Sequence, residues 1–346
     1  MQSIVIFILT TLIYSTVNAQ AHLTTPLEIL SFMEASPTQY EIEQLYGDIP
    51  HKNHTIIPHG AYIEVINDKE YQRNYKDNES LEESSWRTKA RELTNVENPN
   101  YKKARNYYHK ILKKNPQNAQ IHTFIGETYY EQKNYTEALI WFEKAINLNP
   151  IDYLARWLSA EIFLQYGQTD TAIYAITLAH IYNRNHPRLL KRLIEVYNQH
   201  HKIYYRNWSF KPKTYVYKDG DRVVVTADGI WLTYGMYKAV WNFDPDYQYI
   251  KDQQEVTDYI FHQELEATIG TYMTYSALKR DDRRNYPSMN ALGHCLDNEM
   301  VEEFVMYEIL LVNTPTVSYH ITPKFMKRLF NYIATIRSID HINDTK

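Results

Sequence analysis

The sequence predicts a mainly helical protein: an array of α-α hairpins, followed by a C-terminal helical module that carries one small β-hairpin. Glycine is scarce and tyrosine abundant, with 9 and 32 copies in 346 residues. Few glycines and many long side chains suit stacked helices better than a turn-rich β-sandwich. In the middle of the chain, apolar residues recur at three- and four-residue steps and small residues recur at a longer period, which is typical of helical repeats.

The N-terminal segment, Met1 to Ala19, has the pattern of a cleaved secretory signal. An apolar run, Ile4 to Tyr14, precedes Val17-Asn18-Ala19, which resembles a small-x-small processing site. The run is about half as long as a bilayer-spanning helix, although no Lys or Arg precedes it, and no later segment is long and apolar enough to span a membrane. We expect export with cleavage after Ala19, to the periplasm or the medium if the source is bacterial. Five glycosylation sequons leave a eukaryotic source open: Asn53, Asn78, Asn134, Asn207 and Asn343.

Charge and cysteine content argue against two classes, a general nucleic-acid-binding protein and a disulfide-stabilised domain. The net charge is -4 and the pI is near 6.4, so we expect no general attraction to nucleic acid. Cys295 is the only cysteine, so no intramolecular disulfide can form and packing must stabilise the exported chain.

Residues 20–80 are expected to form one helix, an irregular or short β segment and a charged linker. Thr25 and Pro26 fit the cap and first position of a helix over Pro26 to Leu45. The highly charged run from Asn67 to Ser85 is interpreted as the linker. Three histidines cluster in the irregular part: His51, His54 and His59. No carboxylate spacing accompanies them, so we expect neither a metal nor another cofactor.

The clearest hairpin lies in IGETYYEQKNYTEALIWFEKAINLNP, Ile125 to Pro150. Helical apolar patterns lie on both sides of the short polar segment Glu131 to Asn134, and two helices joined by a tight turn must run antiparallel. Gly126 and Ala138 are expected to lie on the facing sides, where small residues allow close approach. Pro150 ends the second helix because proline cannot donate to the preceding turn.

The same frame recurs on both sides of this hairpin, with a period of about 34 residues that is typical of helical-hairpin arrays. Going back, Ala104 corresponds to Ala138 and Pro116 to Pro150. Going forward, the corresponding small residues are Ala160, Ala172 and Ala179. The third unit is lengthened before Pro187, and a further amphipathic helix follows from Arg188 to about His200. The array is therefore predicted over residues 81–201.

These positions resemble the tetratricopeptide repeat family. Its Leu-Gly, Tyr, Ala, Phe, Ala and Pro pattern is matched here by Ile125-Gly126, Tyr129, Ala138, Phe142, Ala145 and Pro150. His122 stands where the family usually has tryptophan. The resemblance covers about a third of the chain, and the C-terminal region resembles no family that we recognise.

The resemblance implies a non-catalytic scaffold that binds a protein or peptide on the concave face formed by the first helix of each hairpin. Carried over to this chain, that face comprises Gln120, Thr123, Glu127, Tyr130, Glu131, Leu154, Trp157, Glu161, Leu164 and Gln165. An apolar floor with three carboxylates suits a basic or amphipathic segment. It lacks the Lys and Arg that members clamping a carboxylate terminus require. Alternatively, Trp157 and Leu164 are buried under the following helix.

Residues 202–340 are expected to form the C-terminal module, and 341–346 a tail. The alternation around Tyr215 and Tyr217, the Asp219-Gly220 turn and the following valines predict a β-hairpin near 213–227. Helices are predicted from Gly229 to Phe243 with Asp228 as cap, and from Val256 to about Leu278, Ser288 to about Val312 and Pro323 to about Ile339.

No catalytic motif is found in this module, and we do not expect an enzyme. His294 and Cys295 are adjacent, and adjacent helical side chains point about 100° apart. The groups His262, Glu264, Glu266 and His294, Asp297, Glu302, Glu303 lack helix-borne zinc spacing. Tyr and Trp are concentrated from Trp208 to Tyr249, and exposed rings bind sugars. The alternative is therefore a carbohydrate-binding or cell-envelope-processing protein that acts through this module.

Overall fold

The computed structural model describes residues 23–47, 49, 54–66, 69–199, 203–205, 208–251 and 256–340. The predicted signal segment, residues 1–19, lies outside them. The chain forms two compact units, one from 1–52 with 208–309 and one from 53–207 with 310–346. We call them the mixed unit and the repeat unit. Each therefore combines stretches that lie far apart in sequence, and the predicted boundaries near 80 and 202 do not separate them.

The described residues contain fifteen α-helices. They are α1 (Pro26–Ala35), α2 (Leu81–Thr94), α3 (Tyr101–Lys114), α4 (Ala119–Glu131), α5 (Tyr135–Leu148), α6 (Tyr153–Gln165), α7 (Thr169–Tyr182), α8 (Pro187–Gln199), α9 (Trp231–Phe243), α10 (Pro245–Lys251), α11 (Val256–Ser276), α12 (Pro287–Asp297), α13 (Val301–Phe304), α14 (Leu311–Asn313) and α15 (Pro323–Tyr332). None of these helices is long and apolar enough to cross a membrane.

Seven short strands accompany the helices in the same ranges. They are β1 (Gln39–Gln44), β2 (Ala61–Ile66), β3 (Lys69–Asn74), β4 (Ile203–Tyr205), β5 (Thr214–Asp219), β6 (Arg222–Ala227) and β7 (Ser338–Asp340). They form a three-stranded sheet in the order β1-β6-β5 and two-stranded sheets from β2 with β3 and β4 with β7.

In the repeat unit, α2 to α7 pair as three helical hairpins, and α8 packs on the last of them. This confirms the predicted solenoid. Four successive helices, α3 to α6, begin at an Asn or Asp whose side chain accepts a backbone N–H three residues later, and these caps are Asn100, Asn118, Asn134 and Asp152. Such caps satisfy one of the N–H groups that lack an intrahelical partner. They fix where each helix starts.

The first two hairpins share one apolar core. Ala90, Ala104, Ile111 and Ile125 are fully buried in it, and Tyr108 is 2% exposed. Small residues alternate with large ones here, so adjacent helices approach closely while the large side chains fill the space between them.

The N-terminal helix is shorter than predicted. It has the predicted cap, with Thr25 and Glu28 forming a capping box, but it ends at Ala35 rather than Leu45. Pro37 follows, and β1 then pairs in parallel with β6, with Gln39 opposite Arg222. The prediction of a helix through Leu45 is wrong because long-range strand pairing determines the conformation of residues 39–44.

The charged run interpreted as a linker is also ordered. Within Asn67–Ser85 lie β3, a 3-10 turn at Tyr75–Asn78 and the start of α2. The strand β3 runs antiparallel to β2, and Arg73 bonds Glu64 across the pair at 3.0 Å. The linker prediction is wrong because the charges lie on the exposed faces of a hairpin.

In the mixed unit, the predicted β-hairpin is confirmed as β5 and β6, joined at Gly220. The helix α9 packs against both strands. A Cβ atom at Gly235 would lie 2.7 Å from Val225 Cγ1, so only glycine permits this contact. The helix begins at Trp231 without a side-chain cap, rather than at Gly229 with Asp228 as cap.

Of the three remaining C-terminal helix predictions, the one from Val256 corresponds to α11, and the other two need correction. The helix predicted over Ser288 to Val312 breaks after α12, where Glu299 has a φ of 58°, and continues as α13, a π-helical turn at Val305–Leu310 and α14. The last predicted helix ends at Tyr332 and is followed by a π-helical turn and β7, which pairs antiparallel with β4 within the repeat unit. Sequence periodicity did not resolve these local changes of helix pitch.

Candidate functional site

The hairpin of α4 and α5 depends on a small residue at Gly126. A Cβ atom there would lie 2.5 Å from Phe142 Cε1 and 3.2 Å from the Ala138 carbonyl oxygen. Phe142 and Ala138 are themselves fully buried, so neither can move aside. The glycine therefore sets the distance between the two helices.

The other residues predicted to pack the repeats occupy matching places. The alanines among them are fully or almost fully buried: Ala104, Ala138, Ala145, Ala160, Ala172 and Ala179. Tyr129 is half-buried, and the Arg105 guanidinium lies 4.1 Å from its ring centre. Pro116 and Pro150 are exposed and lie just after α3 and α5, as residues that end a helix should.

The ten residues predicted to line the first-helix face differ in exposure. Gln120 and Thr123 are buried, Glu131 and Gln165 are exposed, and the half-buried residues are Glu127, Tyr130, Leu154, Trp157, Glu161 and Leu164. Trp157 and Leu164 are thus neither fully covered nor fully open.

One of the three predicted carboxylates is neutralised within the array. Arg192 on α8 donates from Nε and Nη2 to the two Glu161 oxygens, both at 2.7 Å. Trp157 Nε1 donates to the same carboxylate at 3.0 Å. This two-point ion pair ties α6 to α8, and it leaves Glu127 and Glu131 as the acidic groups of the face.

These two glutamates line a cavity of about 210 Å³. Its walls are Arg91, Thr94, Asn95, Tyr101, Tyr108, Phe124, Glu127, Thr128 and Glu131. Burial raises the pKa of Glu127, and nearby His59 and Arg91 oppose this rise. Burial, together with the Glu131 charge, also raises the pKa of the Tyr101 phenol. The cavity therefore presents two carboxylates, two phenols and the Arg91 guanidinium in a partly desolvated setting.

The buried members Gln120 and Thr123 are covered by the chain itself. Gln120 Nε2 donates to the His59 carbonyl at 3.0 Å, and the Thr123 hydroxyl donates to Asp152 Oδ2 at 2.7 Å. His59 Nε2 lies 3.6 Å from the same Asp152 oxygen. The His59 ring also contacts Phe124 edge-on at 5.4 Å between ring centres. Sequence reasoning missed this role of His59.

The buried Asp152 is held as a carboxylate. Burial alone would raise its pKa, but His59, the Ala155 N–H and the Thr123 hydroxyl outweigh burial and lower the pKa below its usual range. Asp152 thus links the N-terminus of α6 to the segment that carries His59.

The candidate groups of the mixed unit serve its packing. Glu264 accepts from Lys238 Nζ at 2.8 Å and from the Tyr234 hydroxyl. Glu266 accepts the Thr24 N–H at 3.0 Å and the Trp241 indole N–H. These carboxylates are buried and satisfied within the unit, which is typical of structural networks.

His294 and Cys295 are not brought together as a reactive pair, because Cys295 is buried and His294 is exposed. No group of three or more His, Cys, Asp or Glu side chains in the described ranges could hold a metal ion. His51 lies outside those ranges.

The aromatic concentration of this unit is largely core. Trp231, Tyr234, Tyr237 and Trp241 are each at most 7% exposed. Tyr215 is 46% exposed and stacks on Tyr217 at 5.2 Å. The rings therefore pack against one another rather than forming a broad open platform.

Comparison with known proteins identifies the repeats. Residues 96–150 match the family described as tetratricopeptide repeat, a range that includes α3, α4 and α5. No curated protein sequence matches this chain.

Two solved structures are similar. One is the first tetratricopeptide repeat domain of Spaghetti (RPAP3) bound to the HSP90 peptide SRMEEVD, at 16% identity over 35% of this chain and 94% of that chain, with a TM-score of 0.32. The other is MamA, at 15% identity over 61% of this chain and 92% of that chain, with a TM-score of 0.28.

Proposed function

We propose that this protein is an exported, non-catalytic scaffold whose tetratricopeptide repeats bind a protein or peptide on the first-helix face. The family match over 96–150 supports this role, since such repeats stack into extended binding surfaces. The observation that carries the proposal is the cavity that Glu127 and Glu131 of that face line.

The chemistry of the cavity favours a basic side chain of the partner. Neither Glu127 nor Glu131 forms an ion pair with the residues that the structure describes, whereas Glu161 is already bound to Arg192. The attraction between a carboxylate and a Lys or Arg side chain of the partner is stronger in a partly desolvated site than in bulk water. The partner segment is therefore basic or amphipathic.

The binding test compares matched charge changes. Glu127→Gln with Glu131→Gln removes the acidic pair, whereas Glu143→Gln removes an exposed charge from α5, the second helix of the same hairpin. Affinity capture from the native exported fraction should lose a specific protein with the double variant and keep it with the control. Equal capture by both folded variants would refute binding at this cavity.

A second pair of side chains tests the rest of the face. The double variant Tyr130→Ala, Trp157→Ala removes two half-buried rings, one on α4 and one on α6. Loss of the same captured protein would extend the binding surface along the array. Retention would limit binding to the cavity.

Export is proposed from the N-terminal sequence alone. The apolar run and the Val17-Asn18-Ala19 site would leave Gln20 as the first mature residue. N-terminal sequencing of the protein from its native source tests this, and an intact Met1 would refute cleavage.

The carbohydrate-binding alternative has less support. Most aromatic side chains that could bind a sugar in the mixed unit are buried, and stacking on sugars needs exposed ring faces. A glycan-array measurement with the purified protein would test this alternative directly.

A further inference from the structure

Residues 55–61 lie against the repeats, with a turn at His59 and Gly60, and amide side chains of the repeats bond their main chain. Asn183 Oδ1 accepts the Ile57 N–H at 3.1 Å, and Asn183 Nδ2 donates to the Ile57 carbonyl at 2.9 Å. One amide thus satisfies both main-chain groups of one residue. This arrangement recognises a peptide backbone rather than a particular side chain.

Three further amides continue the pattern. Asn185 donates to the Thr55 carbonyl at 3.0 Å, Gln120 to the His59 carbonyl at 3.0 Å, and Asn149 to the Ala61 carbonyl at 2.9 Å. The bonded residues are therefore 55, 57, 59 and 61. Every second residue thus turns its carbonyl toward the repeats, and a turn closed by the Ala61 N–H and the Pro58 carbonyl at 3.1 Å shapes the end of the segment. We call Gln120, Asn149, Asn183 and Asn185 the amide row.

Part of the row follows the repeat period. Asn149 and Asn183 lie one repeat apart and are the C-caps of α5 and α7, with φ values of -139° and -142°. Asn115 is the C-cap of α3, one repeat further back, with a φ of -131°. The repeat frame thus places an amide at the same end of each second helix. The recurrence makes this edge a regular surface rather than one incidental contact.

Side chains of residues 56–59 alternate between exposed and covered positions. Ile57 is 2% exposed, and the His59 ring lies near Phe124 and Tyr153, with ring centres 5.4 and 6.1 Å away. In contrast, Ile56 is 46% exposed and Pro58 is exposed. The surface therefore accepts an aliphatic side chain and, two positions later, a histidine.

We propose that the amide row is a peptide-binding site for a segment that ends in a turn as residues 58–61 do, and that residues 55–61 are its built-in ligand. A partner segment with an aliphatic residue followed two positions later by histidine displaces this ligand. The site rests on the proposed role of the repeats in binding. Its hydrogen bonds use neither Glu127 nor Glu131, so variants of those two glutamates leave the amide row in place.

The test uses a fluorescein-labelled synthetic peptide of residues 54–61, HTIIPHGA, and the full-length protein. Ile57→Asp places a charge at the buried position and should release the built-in segment. Ile56→Asp places the same charge at the exposed neighbour and is the matched control. Fluorescence anisotropy measures peptide binding to the wild type and both variants.

We expect the peptide to bind Ile57→Asp at least about tenfold more tightly than it binds the wild type or Ile56→Asp. In those two proteins, the tethered segment competes at an effective concentration on the order of millimolar. Adding Asn183→Ala to Ile57→Asp should weaken binding by roughly tenfold or more, because two hydrogen bonds worth about 1 kcal/mol each are lost.

Equal binding to all three proteins would overturn the proposal, because the built-in segment would then not occupy the peptide's site. Absence of binding to Ile57→Asp with intact circular dichroism would also overturn it. If Ile57→Asp fails to fold, Gly60→Val replaces it, since Gly60 has a φ of 84° and a Cβ there would overlap Gln120 Nε2. Loss of partner capture by the Glu127 and Glu131 variants would support the proposed function, whatever the result with the peptide. Unchanged partner capture, together with the expected peptide binding, would refute only the proposed function.

Discussion

Gly126→Ala is expected to destabilise the repeat unit although alanine is the better helix former. Alanine for glycine in a helix interior gains about 1 kcal/mol of intrinsic propensity. The new Cβ would lie 2.5 Å from Phe142 Cε1, well inside van der Waals contact, in a hairpin where Phe142 and Ala138 are fully buried. Overpacking of this kind costs about 1–3 kcal/mol. The expected net loss is therefore about 1 kcal/mol, or roughly 2–4 °C in Tm.

The assay is thermal and urea denaturation of the full chain, followed by far-UV circular dichroism. Phe142→Leu is introduced alone and together with Gly126→Ala, which gives a double-mutant cycle. If the ring causes the clash, the two changes couple by at least about 1 kcal/mol, and the double variant is more stable than additivity predicts. A Gly126→Ala variant that is more stable than the wild type would refute the reasoning, since propensity would then outweigh packing.

Three other expectations concern the array. Asn183→Ala should cost about 1–3 kcal/mol in urea denaturation, because it leaves buried main-chain groups unsatisfied, whereas Asn115→Ala, whose side chain makes no hydrogen bond with described residues, should cost clearly less. The pKa of Asp152 is lowered in the folded protein, so the stabilisation by its carboxylate is present above the unfolded pKa of about 4 and is lost as the pH falls through the lower folded pKa. The difference in Tm between the wild type and Asp152→Asn should therefore shrink between about pH 5 and pH 2. A constant difference would contradict this. Arg192→Ala should lower the free energy of unfolding by about 1–2 kcal/mol, since it leaves the half-buried Glu161 carboxylate without its two-point ion pair. Lys191→Ala is the control: its side chain is 80% exposed, and the change should be less than about 0.5 kcal/mol. Equal effects would show that the ion pair between α6 and α8 contributes nothing.

The repeat hairpins could be predicted because their signals are local. Gly126, Ala138 and Phe142 lie within a single repeat, and helix periodicity and turns are set by neighbours along the chain. The hairpin of β5 and β6 was predictable for the same reason, since its strands are joined at the Asp219-Gly220 turn. Helix α1 was recognised at its cap but not at its end.

The errors have a common cause in long-range contacts. Residues 39–44 form a strand because β6, almost two hundred residues later, pairs with them. Residues 69–74 form a strand because they pair with β2 rather than because their charged side chains favour one. Propensity is a weak guide where distant pairing supplies the hydrogen bonds.

For the candidate site, the sequence alone predicted a first-helix face that includes three glutamates. It could not show that Arg192 neutralises Glu161, because the two lie on different helices that only stacking brings to 2.7 Å. Nor could it show that residues 55–61 lie against Asn149 and Asn183, which are almost a hundred residues or more away in the sequence.

The sequence by itself therefore determined the helical repeats and the small residues at their contacts, both of which depend on spacing within a few helical turns. Only the tertiary structure decided which distant segments complete each unit and which side chains of the first-helix face remain accessible. The reason is that exposure and charge pairing depend on elements more than a hundred residues apart, such as Ile57 and Asn183.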